Sequence, residues 1–249
     1  IILIIFSLLL STCCVCEDDY MLRCEGLSES IEYNPETINR KVLVIGVDGI
    51  RSDVVQDSIS PFLFDLSQQE NTYFTDSHMT ERITYSGPNW SSLLTGVHMS
   101  KHNVLENDFL NPNFNEYPSF FYYLENIEEP ISTVSIVNWL PIHTHILSGI
   151  VDYAPTESIS DLEVFNSCKE ILLNNNPVEG DVVFLHFDEL DGAGHGYGFS
   201  EDVEEYRNTL TTIDGYIEDL FNIIESKRVN GEDWIIFIVS DHGGAGTGH

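Results

Sequence analysis

Short runs of consecutive apolar residues, rich in Val and Ile, recur along the chain. Four of them cover residues 41–47, 131–137, 181–187 and 234–239. Runs of this length without alternating polar positions are typical of strands buried on both faces of a sheet. The segments between them carry the three- and four-residue apolar spacing of helices, most clearly over residues 203–224. Because strands alternate with helices, the pattern predicts an α/β fold with a mainly parallel central sheet and helices on both faces.

Shorter helices are also predicted. From Ser52, a helical stretch is expected to break at Pro61 and to resume beyond it. Pro88 suits the first position of another helix, since the N–H group that proline lacks has no partner there, and this places Ser86 at or just before the helix cap. Two further helices are predicted over residues 120–124 and 159–174.

The N-terminal segment has a different pattern. Residues 1–10 are uncharged and apolar, and small residues then lead into an acidic segment at 17–19. This is the pattern of a secretory signal too short for a membrane span, and a buried strand is the alternative. We expect a signal-peptide remnant, an N-terminal arm and an incomplete catalytic domain over residues 1–16, 17–40 and 41–249. The chain is expected to be truncated at its C-terminus. Whether a membrane anchor follows downstream is therefore left open.

The expected location is therefore secreted, or on the lumenal or extracellular face of the secretory pathway. Of the five cysteines, only Cys24 and Cys168 follow the expected leader. A disulfide between them is compatible with an oxidising compartment, and the pairing stays open.

Composition indicates one large domain with a strong charge bias. At 249 residues and 42% hydrophobic content, the chain can bury a sizeable core. Lys and Arg total 10 against 41 Asp and Glu, a formal net charge of −31. Such a surface repels the phosphates of nucleic acids, so nucleic-acid binding is not expected. It also repels a phosphorylated substrate, and a site for phosphate chemistry in this chain therefore needs bound cations.

Acidic residues and histidines follow the ends of the predicted strands. They are Asp48 after the first run, Asp191 and His195 after the third, and Asp241, His242 and His249 after the last. Since ligands bind where parallel strands end, these side chains should converge, and Asp and His are ligands that zinc takes readily. We expect two divalent metal ions, one held by Asp48, Ser86, Asp241 and His242 and the other by Asp191, His195 and His249. Two ions about 4 Å apart can stabilise the attacking and leaving oxygens of a phosphoryl displacement.

Ser86 is the expected nucleophile, with Thr84 as the competing hydroxyl. Free N–H groups at the start of a helix favour an anion, such as a phosphoryl group under attack by the serine oxygen. The glycines between Asp191 and His195 favour a loop there over a helix. His186 is expected to lie in the core or to support a metal ligand. Successive side chains of a strand point to opposite faces of the sheet, so only some of the polar residues in this segment can reach a metal.

In their order along the chain, these motifs resemble the alkaline phosphatase superfamily and, within it, the nucleotide pyrophosphatase/phosphodiesterase group. The matching stretches are residues 47–53, the Ser86 segment ending in Leu94-Thr95-Gly96, Asp191 with His195, and residues 240–243. The resemblance implies a two-metal site, usually zinc, and a covalent phospho-enzyme intermediate on Ser86, where many relatives carry Thr. It also implies that Asn89 helps to hold the transferring phosphoryl group. It leaves open whether His249 or a later histidine completes the second metal site.

We therefore expect a metal-dependent hydrolase that cleaves phosphodiester or pyrophosphate bonds of a small phosphorylated substrate. Phosphoethanolamine transferases of the glycolipid-anchor pathway have related motifs and are the alternative class of enzyme. The non-enzymatic alternative is a secreted cation-binding domain that keeps the fold without activity. Nucleotide, lysophospholipid and sugar-phosphate diesters are all compatible with these motifs.

Overall fold

A parallel sheet forms the centre of the molecule. The computed structural model describes residues 2–7, 39–127 and 131–249. The strands of this part are β1 (Ile2–Ser7), β2 (Asn39–Val47), β3 (Thr72–His78), β4 (Thr133–Val137), β5 (Val182–Phe187) and β6 (Glu232–Val239). They form one six-stranded sheet in the order β3-β1-β6-β2-β5-β4, and every pairing is parallel. The predicted α/β fold is confirmed.

Helices cover both faces of this sheet. Within the described ranges they are α1 (Pro61–Ser67), α2 (Ser86–Thr95), α3 (Met99–His102), α4 (Phe120–Leu124), α5 (Asp161–Leu172), α6 (Glu189–Tyr197) and α7 (Glu204–Val229). A 3₁₀ turn covers Ser52–Val54 and a π-helical segment covers Ile142–Leu147. The helices predicted over 120–124, 159–174 and 203–224 correspond to α4, α5 and α7.

Strand residues alternate between two cores, one on each face of the sheet. On β2, Leu43 and Ile45 belong to the core that contains residues of α1, α5 and α7. Val44 packs on the opposite face, against the core that contains residues of α2 and α4. Both faces are covered, which is why the strand sequences lack alternating polar positions. Asp48 follows β2 in the same alternation as Val44, and it therefore lies on the α2 side of the sheet.

The segment from Asp191 to His195 is helical, which corrects the prediction of a loop. Glycine in a helix interior costs about 1 kcal/mol relative to alanine, and this made a loop the expectation. Packing overrides that preference: a Cβ on Gly194 would lie 2.3 Å from Phe199 Cε1. Phe199 packs directly on the backbone of α6, and the helix presents Asp191 and His195 four residues apart on one face.

Two helix starts also differ from the prediction. Helix α2 begins at Ser86, with Tyr85 as its N-cap residue, so Pro88 is the third helical residue. The whole first turn tolerates proline, because its N–H groups have no intrahelical partner. The helix expected from Ser52 is only a 3₁₀ turn, and α1 begins at Pro61, where a break was expected. Strand β3 was missed because it is an edge strand and carries polar residues.

The apolar run at the N-terminus lies partly within the described residues. Residues 2–7 form β1 between β3 and β6, the arrangement that the strand alternative predicts. The expected leader boundary and most of the expected arm lie outside the described residues, and both stay predictions. Asn39 and Arg40, at the end of that arm, belong to β2. Among the helices that the structure describes, none has both the length and the apolar character needed to cross a bilayer.

The predicted disulfide also falls partly outside the described residues. Cys168 is a buried thiol of α5 that packs in the core, and burial raises its pKa. Cys24 lies outside the described ranges, and the pairing stays a prediction.

Asp214 of α7 caps helix α1. Its carboxylate oxygens accept hydrogen bonds from the backbone N–H groups of Phe62 (3.0 Å) and Leu63 (2.9 Å). These N–H groups belong to the first turn of α1, where no intrahelical acceptor exists, and the N-cap residue Ser60 makes no side-chain cap. Asp214 is 3% exposed. A buried carboxylate from another helix therefore supplies the cap and ties α7 to α1.

Asp214→Ala should lower the free energy of unfolding by about 2 kcal/mol, because two N–H groups lose their acceptor. Asp214→Asn keeps one acceptor oxygen and should lose less. Urea denaturation followed by circular dichroism measures both. Glu218→Ala, an exposed change on the same helix, is the control and should stay within about 0.5 kcal/mol of the wild type. A loss that small in Asp214→Ala would contradict the cap.

Candidate active site

The carboxyl edge of the sheet gathers the predicted ligands. Strands β6, β2 and β5 are neighbours in the sheet, and they lead to Asp241, to Asp48 and to helix α6, respectively. Side chains that lie far apart in the sequence therefore meet at one edge. We call Asp48, Ser86, Asp241 and His242 the first cluster, and Asp191, His195 and His249 the second cluster.

His242 is the centre of the first cluster. Its Nδ1 lies 3.0 Å from the carbonyl oxygen of Gly243, a contact that requires the proton on Nδ1 and leaves the Nε2 lone pair free. Nε2 lies 3.3 Å from Asp48 Oδ1, 3.3 Å from Asp241 Oδ2 and 3.4 Å from Ser86 Oγ. With Nε2 unprotonated, no hydrogen bond joins it to either carboxylate. Asp48, Asp241 and Ser86 thus each bring an oxygen to the same nitrogen, and a ligand atom of Asp191 also lies within 4.8 Å of those of Asp48 and His242.

The second cluster has the same chemistry. His195 Nδ1 lies 3.0 Å from the carbonyl oxygen of Thr247, and its Nε2 lies 3.3 Å from Asp191 Oδ2. His249 Nε2 lies 3.9 Å from Asp191 Oδ1. The ligand atoms of these three side chains all lie within 4.8 Å of one another. The ring of His249 stacks on that of His242 with 3.7 Å between centroids, so the two clusters are in contact.

Three buried carboxylates of these clusters each keep one oxygen without a partner. Among the described residues, no hydrogen bond reaches Asp48 Oδ1, Asp191 Oδ1 or Asp241 Oδ2. Buried polar atoms are normally satisfied, and an unsatisfied carboxylate oxygen is costly. Divalent cations at these positions would satisfy all three oxygens. The residues present therefore fit the expected two-metal site.

Burial raises the pKa values of these carboxyl groups. It raises the pKa of Asp48 to about 6 and that of Asp191 to about 8, where repulsion from Asp48 adds to the effect. The pKa of Asp241 is raised well above its usual range by burial and by the charges of Asp48 and Asp191. Burial also lowers the pKa of His242, which keeps the imidazole neutral. A cation bound among these groups would favour the ionised carboxylates and the neutral imidazole.

Ser86 is the hydroxyl that the structure brings to the first cluster. It is the first residue of α2 and is 7% exposed. The side chain of Thr84, the competing candidate, makes no hydrogen bond to either cluster in the described part of the chain. Next to Ser86, the Gly87 N–H donates to Asn107 Oδ1 at 2.7 Å. Of the two candidate hydroxyls, Ser86 is the one with a contact to the first cluster, 3.4 Å from His242 Nε2, and its role as the nucleophile stays a prediction.

Asn107 was missed by the sequence reasoning. It is exposed and lies 20 residues beyond Gly87, and no local motif marks it. Its side-chain N–H groups make no hydrogen bond within the described residues, so they can donate to an oxygen bound beside Ser86.

The side chain of Asn89, which was predicted to hold a phosphoryl group, is hydrogen-bonded to the neighbouring loop in the structure. Its Oδ1 accepts from the Glu81 N–H, and its Nδ2 donates to the carbonyl oxygens of Ile83 and Tyr85, each at 2.9 Å. The side chain is 3% exposed. Asn89 thus fixes the loop that leads to Ser86, and both of its N–H donors are used there. Its expected role in holding a phosphoryl group stays a prediction.

Several curated proteins are similar to this chain. Bis(5′-adenosyl)-triphosphatase ENPP4 of Bos taurus is 27% identical over 250 aligned positions, which cover 90% of this chain and 52% of that protein. The Homo sapiens protein of the same name is 27% identical over 229 positions, which cover 82% and 47%, respectively. The chain spans about half the length of the curated relatives it matches.

Solved structures share the fold, and a family profile covers most of the chain. Murine ectonucleotide pyrophosphatase/phosphodiesterase 5 superposes with a TM-score of 0.64 at 20% identity, covering 82% of this chain and 57% of that one. Phosphonoacetate hydrolase from Sinorhizobium meliloti 1021 superposes with a TM-score of 0.53 at 13% identity, covering 75% and 54%. The profile of type I phosphodiesterase/nucleotide pyrophosphatase matches residues 42–248. The chain therefore belongs to the type I phosphodiesterase/nucleotide pyrophosphatase family.

Proposed function

We propose that this protein is a metal-dependent hydrolase that cleaves phosphodiester or pyrophosphate bonds through a phosphoserine intermediate on Ser86. The observation that carries the proposal is the position of Ser86 Oγ, 3.4 Å from the unprotonated Nε2 of His242. The same nitrogen faces the carboxylates of Asp48 and Asp241 at 3.3 Å. A metal ion bound among these ligand atoms would activate the serine oxygen for attack. Membership of the family supports this class of reaction.

The two clusters would hold two divalent ions, one each. Mixed imidazole and carboxylate ligands suit zinc. When bound, the ions would lower the pKa of the serine hydroxyl and neutralise charge on the attacking and leaving oxygens. This local positive charge would offset the repulsion that a net charge of −31 exerts on a phosphorylated substrate.

The residues of the chain would supply the remaining steps. The Ser86 hydroxyl would lose its proton to solvent as Oγ attacks phosphorus, the bond from phosphorus to the leaving oxygen would break, and that oxygen would take up a proton from solvent. The Asn107 side-chain N–H groups would donate to the non-bridging oxygens, and the positive end of the α2 dipole would add to this stabilisation, although the Gly87 N–H already donates to Asn107 Oδ1. Water then attacks the phosphoserine, which releases the monophosphate product and regenerates the Ser86 hydroxyl.

A small nucleotide is the substrate class that we propose. The ENPP4 relatives are bis(5′-adenosyl)-triphosphatases by name, and an inactive form of murine ectonucleotide pyrophosphatase/phosphodiesterase 5 is described in complex with AMP. We extend this to the present chain, with a diester or anhydride linkage as the bond that is cleaved. Secretion, or a location on the lumenal face of the secretory pathway, is proposed from the apolar and then acidic pattern of residues 1–19. The pairing of residues 2–7 as β1 is the observation that favours the strand alternative.

Ser86→Ala should reduce zinc-supported hydrolysis of bis(p-nitrophenyl) phosphate by about a thousandfold or more, because no side-chain oxygen remains to attack phosphorus. Release of p-nitrophenolate measures the rate. Thr84→Ala is the matched control and should keep most of the activity. Circular dichroism checks that both variants fold. Comparable activity in Ser86→Ala and the wild type would move the nucleophile elsewhere.

Zinc affinity should rise by about tenfold or more between pH 6 and pH 8. The pKa values of about 6 for Asp48 and about 8 for Asp191 mean that protons compete with the metal at pH 6 and much less at pH 8. Competition against a chromophoric zinc chelator measures the affinity at each pH. Asp191→Asn cannot ionise at that position and should flatten the dependence. Equal wild-type affinities at the two pH values would refute this coupling.

A further inference from the structure

The carboxylate of Asp48 is held from one side only. Trp90 Nε1 donates to Asp48 Oδ2 at 2.8 Å, and His186 Nε2 lies 3.2 Å from the same oxygen. Asp48, Trp90 and His186 are all 0% exposed. The other oxygen, Oδ1, has no hydrogen-bond partner in the described part of the chain and faces His242. One oxygen thus faces the protein, and the other faces the first cluster.

His186 could act on Asp48 in two ways. Ligand atoms of Asp48, His186 and Asp188 lie within 4.8 Å of one another, an arrangement that could hold a third cation. Alternatively, His186 Nε2–H donates a hydrogen bond to Asp48 Oδ2. The two interpretations place the imidazole proton differently. Nε2 must be unprotonated to ligate a cation, and it must carry the proton to donate to Asp48.

The contacts favour the hydrogen bond. A separation of 3.2 Å is a hydrogen-bond distance, and Asp48 Oδ2 already accepts from Trp90, so two N–H donors occupy the two lone pairs of one oxygen. The rings of Trp90 and His186 meet edge to face with 4.7 Å between centroids, which covers one side of the imidazole. His186 Nδ1 has no partner among the described residues, as suits a neutral ring with its proton on Nε2.

The fold makes room for this arrangement at Gly46. Gly46 pairs with His186 across β2 and β5. A Cβ on Gly46 would lie 2.4 Å from Trp90 Cη2. Without a side chain at this position, the indole can lie against β2 and reach the carboxylate two residues further along the chain.

We propose that Trp90 and His186 are positioning residues for the first metal ion: their N–H groups fix Asp48 through Oδ2, so that Oδ1 alone faces the cation. This inference rests on the two-metal site of the proposed function. Binding through one oxygen suits a four-coordinate zinc site, whereas Ca²⁺ often takes both oxygens of a carboxylate. Groups that orient a metal ligand in this way typically change metal affinity by about tenfold to a hundredfold.

Zinc binding to chelator-stripped protein tests the proposal without using activity. Trp90→Phe and His186→Phe remove the N–H donors but keep aromatic rings, and each should weaken one zinc site by about tenfold to a hundredfold. The number of zinc ions bound should stay that of the wild type. His186→Gln has an amide N–H that can reach the same oxygen and should recover part of the loss. Competition against a chromophoric chelator gives both the affinity and the number of ions.

Trp234→Phe and His143→Phe are matched controls. Both residues are buried. Trp234 lies near the opposite end of β6, and His143 contacts Ser135 and the carbonyl oxygen of Pro155. These changes should lower the melting temperature but leave zinc affinity unchanged, which separates a loss of stability from a loss of positioning.

Two results would overturn the positioning role. One is wild-type affinity in both Trp90→Phe and His186→Phe. The other is the loss of one zinc equivalent in His186→Phe with the remaining affinities intact, because His186 would then ligate a third cation with Asp48 and Asp188. Wild-type protein that binds no zinc would instead refute the two-metal site itself, and the positioning role with it.

Discussion

The cost of ionising carboxyl groups that are held away from water is the constraint on which this site depends. Asp48, Asp191 and Asp241 converge at the end of the sheet, and their raised pKa values express the unfavourable free energy of ionising them there. His195 offsets part of this cost by lowering the pKa values of Asp48 and Asp191, but His242 does not. His242 donates its Nδ1–H to the carbonyl oxygen of Gly243 in a hydrogen bond, and burial keeps the ring neutral. Bound cations would relieve the repulsion, and they would stabilise the folded protein because the unfolded chain has no such cluster.

Helix α2 connects this charge to the nucleophile. Ser86 and Trp90 are four residues apart, so they lie on the same face of the helix. Ser86 Oγ approaches His242, while Trp90 Nε1 donates to Asp48. One rigid element therefore sets both the attacking oxygen and the orientation of a ligand. A small rotation of α2 would disturb both together.

The sequence predicted most of the sheet and the residues that meet at its edge. Buried strands have a strong local signal, and Asp48 and Asp241 follow such strands directly, so parallel topology alone brings them together. Helix α6 was not predicted, because Gly194 disfavours a helix when only the local sequence is considered. In the folded protein, Phe199 packs on this glycine and stabilises the helix. That contact depends on the tertiary fold.

The same limit applies to the residues around Ser86. Asn107 reaches the start of α2 from a loop 20 residues away from Gly87. Asn89 shows another side of this limit, because its motif position predicts contact with substrate, whereas in the structure its amide hydrogen-bonds to the backbone of the preceding loop. A motif identifies which residue stands at a position. Only the surrounding hydrogen bonds show whether its polar atoms are available.

Arg51 is a cation of the chain near the site, and its charge is already paired. This guanidinium is close to the site in sequence, but it forms an ion pair with Asp53 and donates to the carbonyl oxygens of Phe199 (3.0 Å) and Gly244 (2.9 Å). It thereby fixes the turn that follows β6 and carries His249. Its positive charge is already matched by a carboxylate, and it adds little to the field at Ser86. In a chain with 10 basic and 41 acidic residues, the acidic surface disfavours polyanions generally, and bound ions would reverse the sign of the potential only where phosphorus is attacked.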